Sequence, residues 1–548
     1  MNEREGLLVE KDGARLFNFR PMFFSALFLA FGILFGYFQK INGVSAWWLC
    51  LLLPVLILPF FFCKRLENTL LALAVLLLFF ALGNILFSLA YANFESAVLY
   101  EGESTVLGRV VEMQNKGDYV RVVLDRLYLN ENESKFKLVA YLPATYEENI
   151  RLADEVVLTG ILQGYEGYSV LTGISSGDIA DGIKYSVFYP SDFTVIGNSF
   201  DLFLYIRQSM VDGIRLGMDE TSAGLMQAIL LGDTSKVSGV TLQNVRLGGI
   251  AHVFAVSGLH IGALYAFCRF VAEKGKFPKW LAFSFTFALV ITYGGICGFS
   301  SSVLRAIITC LCFYLAKEIG IKADFMEIIG VAAIVVLLLF PTLLFDVGFQ
   351  LSYGACIGLS CFSKQIITAL DGLVFTISCI GKSKEKKREV LEKKENSPPS
   401  VWGKLKNSLL GAVGATLAAQ TFTLPVLINT FGYISLLSVP LNCIVAPILV
   451  AAFPIFLGLA VIACLLSFVS VYLLYLPMVV WHALILPFEV INLSNTAWTG
   501  SMSGGAITLY LAGAILLSGK INLKGWKKWS AVALYCVLFV VAMIVGNL

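Results

Sequence analysis

Apolar residues fall along the chain in blocks long enough to cross a bilayer, in two groups with a stretch of different period between them. The first group predicts helices at 21–39, 45–63 and 69–92, each near the ~20 residues that span ~30 Å of hydrocarbon. From about 104 to 175 the pattern becomes strand-like. Thr105–Gln114, Asp118–Leu129, Lys135–Leu142, Glu155–Gly164 and Tyr168–Thr172 are rich in Val, Leu and Tyr, with Asn, Gly, Asp and Glu between them. Five short strands suit a small barrel of the OB type. After Pro190, three segments of mixed polarity at 199–217, 221–231 and 238–249 predict amphipathic helices lying along a membrane surface.

The second group predicts helices at 253–272, 280–298, 302–319, 325–341, 343–363, 408–429, 434–460, 468–492, 503–518 and 529–547. Between them, Lys382 through Glu395 and then Pro398-Pro399 form a charged linker, expected to be disordered or a surface helix. The expected fold class is a polytopic α-helical membrane protein of thirteen spans with one small extracytoplasmic all-β, OB-like domain. The expected divisions are a cytoplasmic N-terminus (1–20), three transmembrane helices (21–95), the β domain (100–195) and amphipathic helices (198–250). A transmembrane domain in two parts (251–380 and 407–548) follows, joined by the linker (381–406).

Composition agrees with lipid as the solvent. Of 548 residues 58% are hydrophobic and 14% charged, against ~45–50% and ~25% in soluble domains. The net charge of +3 carries no message about an anionic partner; its distribution does. Lys64-Arg65, Lys274/Lys276/Lys279, Lys317/Lys322, the linker and Lys520/Lys524/Lys527/Lys528 form basic loops. With Arg15 and Arg20 cytoplasmic, counting thirteen spans places every one of these loops inside and the β domain outside. A polar N-terminal stretch with no small-residue cleavage site after the first apolar run argues against a cleavable signal peptide. All twelve cysteines fall in or beside apolar stretches, which fits buried small hydrophobes rather than a disulfide set, and no Cys/His spacing suggests a metal site. No cofactor is expected.

Ionisable and amide groups within apolar spans are costly and mark function. The densest cluster is His252-Val-Phe-Ala-Val-Ser257-Gly258-Leu-His260-Ile-Gly262. On an ideal helix His252, Ser257 and His260 would share one wall of a cavity, and Gly258 with Gly262 would allow close helix contact. The same polar groups also suit interhelical hydrogen bonding without a ligand. Arg305 has two readings, a buried pair with Asp346 or an anion contact; Asp346 and Gln350 share a helix face. Asn442, between Pro440 and Pro447, suggests an unwound segment. His482 and Glu489 lie two turns apart.

These blocks resemble the ComEC family of competence DNA-import channels. The resemblance rests on Leu230-Leu-Gly232-Asp233, Gly249 with His252 through Gly262, and Ser302-Val-Leu-Arg305-Ala306. It continues through Pro341 with Asp346-Val-Gly-Phe-Gln350-Leu-Ser352, and Gln420 through Pro425 to Phe431-Gly432 and Asn442, in the family's order. It implies passage of single-stranded DNA across the bacterial cytoplasmic membrane during natural transformation, in a non-enzymatic channel. It also implies a separate DNA receptor, ATP-driven translocase and nuclease. Many members carry a C-terminal metallo-β-lactamase-like domain. Here one more apolar run follows Trp529, and the three histidines, His252, His260 and His482, cannot make its metal cluster. His252, Ser257, His260, Arg305, Asp346, Gln350, Gln420 and Asn442 are the expected substrate pathway, with Gly232, Asp233, Gly258 and Gly262 as structural motif residues. Tyr265, Phe299, Phe349 and Tyr353 are possible base-stacking aromatics within it.

The β domain fits DNA less well. Fourteen acidic and eight basic residues lie between 100 and 190, a balance that disfavours phosphate contact; a structural lid or partner-docking module is the preferred reading. Two other functions stay open. One is a secondary transporter of another anion built on broken helices. The other is an intramembrane hydrolase using Ser257 and a histidine. Oligomeric state is not legible in the sequence.

Overall fold

The computed structural model describes residues 20–41, 67–95, 103–115, 118–129, 132–164, 182–320, 324–378, 401–466, 470–490, 497–499, 502, 504–517 and 530. The expected spans at 45–63 and 529–547, the strand at Tyr168–Thr172 and most of the charged linker lie outside these residues.

Two apolar helices come first, α1 (Pro21–Ile41) and α2 (Glu67–Glu95). They run parallel: Phe35 meets Phe80 at 5.5 Å, Tyr37 meets Phe87 at 5.9 Å, and the Lys40 ammonium lies 5.4 Å over the Tyr91 ring. Gly32 and Gly83 make the close approach possible, since a Cβ on either would strike a backbone carbonyl of the other helix. A buried hydrogen bond from Asn84 to Gln39, 3.0 Å long, ties the pair near its C-terminal end.

The β region is one sheet of eight strands. These are β1 (Glu103–Asn115), β2 (Tyr119–Leu129), β3 (Asn132–Ser134), β4 (Lys137–Pro143), β5 (Asp154–Ile161), β6 (Gln163–Gly164), β7 (Ile183–Phe188) and β8 (Asp192–Asn198). The order is β6-β7-β4-β2-β1-β5-β8, with β3 on β2; β4 and β7 pair in parallel and the others antiparallel. The expectation of five strands is corrected. The alternating segments at 183–188 and 192–198 also pair, and a break after Ile161 divides the expected fourth strand in two. Val106, Val122, Leu124, Leu138, Leu158 and Tyr185 pack on the inner face.

Next come α3 (Leu202–Gly217), α4 (Glu220–Leu231) and α5 (Gly239–Leu247), each opened by a capping side chain: Asp201, Asp219 and Ser238. The expectation that all three lie on a membrane surface fails for α4. Every residue from Ser222 to Leu231 is buried, because helices from elsewhere in the chain enclose it.

The bundle continues with α6 (Gly258–Lys274), α7 (Lys279–Ile296), α8 (Ser301–Ile319), α9 (Phe325–Leu339) and α10 (Val347–Ser378). After these come α11 (Val401–Phe431), α12 (Ser438–Leu465), α13 (Ser470–Val490) and α14 (Gly504–Leu517), and Tyr433–Ser435 (β9) pairs with Ala497–Thr499 (β10). Among the described residues six helices are long and apolar enough to cross a membrane: α1, α2, α7, α10, α11 and α12. One core joins α3, α4, α6, α7, α8, α12 and α13 through Met210, Ile229, Ile261, Val290, Val303 and Phe453. A second joins α1, α2, α9 and α10. Antiparallel α10 and α11 approach closely at Gly354, Gly358 and Gly414.

Two local expectations are corrected. The segment from 253 is not helical until Gly258: Ala251–Val253 is a 3-10 turn and Ser257 caps α6. His252, Ser257 and His260 therefore do not share a helix wall. Asn442 is not in an unwound stretch, because α12 runs through it and through Pro447 and Pro454.

Candidate functional site

A cleft of about 1410 Å³ lies between the outer face of the sheet and the helical bundle. On the sheet side it is lined by Arg109, Glu112, Gln114, Val123 and Lys137, and on the helical side by Arg207, Asp212, Arg215 and Gln227. Its inner boundary is Gly232, Asp233, Val256, Ser300–Ser302, Asp346 and Gly348. Four sequence blocks that lie far apart along the chain meet there.

Helix ends assemble this boundary. α4 stops because Gly232 takes a left-handed backbone, φ +73°, with its amide on the Ala228 carbonyl. Asp233 turns the chain by accepting the Ser235 amide at 3.0 Å. A Cβ on Gly232 would lie 3.3 Å from Val256, so the first motif packs directly on the second. Arg207 then joins two helix C-termini, donating to the carbonyls of Leu231 and Ile296, each at 3.0 Å; the negative ends of α4 and α7 favour a cation there. Tyr293 also donates to Leu230, at 2.7 Å.

Asp346 accepts hydrogen bonds from the Ser301 hydroxyl and, at 2.9 Å, from the Phe349 amide. Its carboxylate thus sits at the N-terminal ends of both α8 and α10. Ser302 donates to the Gly348 carbonyl at 3.2 Å. The pair between Asp346 and Arg305 that the sequence left open does not form. Arg305, one turn further along α8, is 7% exposed. Its Nη1 donates to the Cys356 thiol at 2.9 Å, its guanidinium lies 5.6 Å over the Tyr353 ring, and its Nε has no protein partner. No carboxylate pairs with it among the described residues. Gly258 admits this guanidinium, which a Cβ would strike.

The remaining expected residues are dispersed around this point. Ser257 and His260 form a reciprocal cap: the Ser257 hydroxyl accepts the Leu259 amide at 3.3 Å, and His260 Nδ1 accepts the Ser257 amide at 3.1 Å. With Nδ1 an acceptor, the ring proton belongs on Nε2, which is buried without a protein partner while the ring meets Phe453 edge-on at 4.7 Å. His252 is half-buried in its 3-10 turn. Gln350 donates to Leu344 at 3.1 Å and closes a turn. Gln420 donates to Ser438 at 2.6 Å, and a Cβ on Gly249 would contact Ser435 at 3.0 Å, which brings the last block to the second. Asn442 Oδ1 is buried without a partner. Gly262 has open space where a partner helix was expected. Of the twelve expected residues only Gly232, Asp233 and Asp346 line the cleft itself.

Sequence reasoning missed the clamp across the cleft. Arg109, on β1, binds Asp125 at 2.8 Å and Asp201 at 2.9 Å, and Asp201 caps α3 through the Phe203 and Leu204 amides. Burial alone would push the Asp201 carboxyl up. The Leu204 amide, Arg109 and the Phe203 amide outweigh it and hold the pKa below its ordinary 3.8. The hydrogen bond from Asp125 chiefly holds the Arg109 cation charged. A cap signal at Asp201 is visible in sequence; its long-range partner is not. Gln227, 1% exposed at the cleft wall with Nε2 unpartnered, was missed because α4 reads as surface-lying.

Comparison with known proteins follows the same division. A model of the family described as "Competence protein" matches residues 229–546, from the end of α4 onward and so without the sheet. ComE operon protein 3 of Bacillus subtilis (strain 168) is 25% identical over 244 residues, 44% of this chain and 27% of that protein, so the chain matches about a quarter of its relative's length. No solved structure matches. With more than half of its length in the family match, including all the motif blocks around the buried Arg305, the chain belongs to the competence protein family.

Proposed function

We propose that this protein passes a single strand of DNA across the bacterial cytoplasmic membrane during natural transformation. The observation that carries the reading is Arg305, a buried guanidinium whose partners are a thiol and a ring, placed one turn beneath a solvent-sized cleft. A charge in such surroundings is costly unless an opposite charge arrives. A phosphodiester supplies that charge, and a polyanion in transit needs groups that replace water and counterions. His260 Nε2, Tyr353 Oη and Asn442 Oδ1, buried without protein partners, add polar groups around the same helices. His252, Ser257, Asp346, Gln350 and Gln420 complete the proposed pathway.

In the proposed topology the N-terminus is cytoplasmic, thirteen spans divide as in the sequence analysis, and the β domain is extracytoplasmic. The parallel direction of α1 and α2 supports placing both C-terminal ends on the side that carries the sheet, where Phe94 of α2 meets Phe136 at 5.3 Å. The strand is delivered by a separate receptor, pulled by an ATP-driven translocase and paired with a separate nuclease.

Deletion of the gene in a transformable host, followed with labelled donor DNA, tests the reading. Surface-bound DNA should persist while cytoplasmic DNA disappears. Unchanged cytoplasmic uptake, in a strain without a second copy, overturns it and brings transport of another anion to the front.

A further inference from the structure

Buried donors gather around one sulfur atom with no good acceptor among them. Cys356, on α10, accepts Nη1 of Arg305 at 2.9 Å. Nε of the same guanidinium has no protein partner, and neither has the hydroxyl of Tyr353. The Tyr353 ring lies 5.6 Å from the guanidinium, and three residues along a helix bring Tyr353 and Cys356 to neighbouring positions on one face. Arg305 and Tyr353 are each 7% exposed, so bulk water does not serve their orphan donors. A buried donor without an acceptor is costly, and a thiol sulfur is a weak acceptor.

The cation also lacks a counterion. Asp346 is engaged elsewhere, by the Ser301 hydroxyl and the Phe349 amide. What the cluster lacks is an oxygen acceptor at the sulfur, and oxidation of the sulfur puts one there.

The surroundings of Cys356 also suit the reaction. A cysteine reacts as its thiolate, and reactive cysteines sit beside a cation with part of the sulfur reachable. Cys356 touches the guanidinium and is half-buried, open enough for a molecule the size of hydrogen peroxide. Cys310 and Cys312, on the same helix as Arg305, are half-buried too, but Arg305 donates to neither. They serve as controls within the same chain.

We propose that Cys356 is a site of reversible oxidation by peroxide, and that the sulfenate formed there takes Arg305 away from the strand in transit. The thiol gives its proton to solvent, and the thiolate sulfur attacks one oxygen of hydrogen peroxide. An S–O bond forms as the O–O bond breaks. Sulfur loses two electrons, the peroxide gains them, and the departing hydroxide takes up a proton as water. The oxygen left on sulfur accepts from the guanidinium, a charge-assisted hydrogen bond once its own proton has gone. A dithiol reverses the change: one thiol displaces water to form a mixed disulfide, and the second closes the reagent's own disulfide and releases Cys356. The block of import rests on the channel reading; the modification does not.

The test exposes the full chain in lipid nanodiscs to hydrogen peroxide with a dimedone-type probe that traps sulfenic acid, and reads each cysteine by mass spectrometry. Cys356 should be labelled faster than Cys310 and Cys312. Arg305→Met should slow that labelling on the order of tenfold, the lower end for a hydrogen bond to a charged group. Equal labelling of the three cysteines overturns the proposal, a comparison that needs no variant to fold. An unchanged rate at Cys356 in a folded Arg305→Met also overturns it. In transformable cells a peroxide pulse should cut import by the wild type and spare Cys356→Ala, each scored against the same cells untreated, and dithiothreitol should restore it. Equal loss in Cys356→Ala overturns the block. Failure of the channel reading is scored separately, by donor-DNA import in the deletion strain, and leaves the labelling result standing.

Discussion

Arg305 makes a sharp prediction because its neighbours are neutral. Arg305→Met removes a desolvated charge and keeps volume, so the fold should be as stable as wild type or more so. Import should nevertheless fall on the order of 10–100-fold, the factor for ~1.5–3 kcal/mol in a hydrogen bond to a charged group. Thermal melting of the purified protein beside transformation counts checks both halves; melting lost together with import would make the residue structural. Ser257 offers the converse. As a cap its removal should cost about 1 kcal/mol, and Ser257→Asn, a neutral cap, should restore the melting point and import. Import lost in Ser257→Asn, but kept in Ser257→Cys, would return the nucleophile reading. Gly232→Ala forces a Cβ into a left-handed backbone and should cost about 1–2 kcal/mol, with Gly232→Asn milder by melting temperature. The sequence exposed all three positions as polar or glycine breaks in apolar runs. It did not expose Cys356 or Tyr353 as neighbours of Arg305, since nothing local records a contact across 51 residues.

At the scale of elements, the clamp from Arg109 on β1 to Asp201 at the start of α3 joins the sheet to the bundle. Because Asp201 titrates below its ordinary value in the folded chain, its stabilisation is fully present above that value. It is lost as pH falls through the lowered one. Below about pH 4 the sheet should loosen from α3 before the bundle melts, seen as early amide exchange in 199–205. Asp201→Asn should show the same loosening at neutral pH; identical exchange in the variant would exclude the clamp. The existence of most helices was legible because apolar runs of bilayer length have few alternatives. Their junctions were less so. The stretch 253–257 reads as helix by composition, yet the capping geometry of Ser257 starts α6 later. α4 read as amphipathic, and only the packing of helices from elsewhere in the chain encloses it. β7 and β8 were missed because their partners lie more than thirty residues away, with β4 and β5.

Across the whole molecule, four of the five motif blocks, scattered in sequence, converge at one boundary beneath the sheet, and the fifth packs beside the second at Gly249. The sequence gives their order but not their meeting, which is a property of packing. Sidedness can be checked directly. A phosphatase reporter fused after Gly197, in β8, should be active, and one fused after Lys276, in the turn from α6 to α7, inactive, with the opposite pattern for a cytoplasmic fluorescent reporter. Matching activity at both sites would exclude the proposed topology.

The carboxylate of Asp346 has a consequence for speed. It already occupies the positive ends of α8 and α10, the place where a phosphate would otherwise lodge most firmly. On the proposed channel reading, a travelling strand would find that place filled by a tethered competitor and exchange against it instead of settling. Short dwell at each phosphate is what throughput demands of a conduit, since sites that hold too well do not conduct. Asp346→Asn should then tighten binding of a single strand while slowing its delivery.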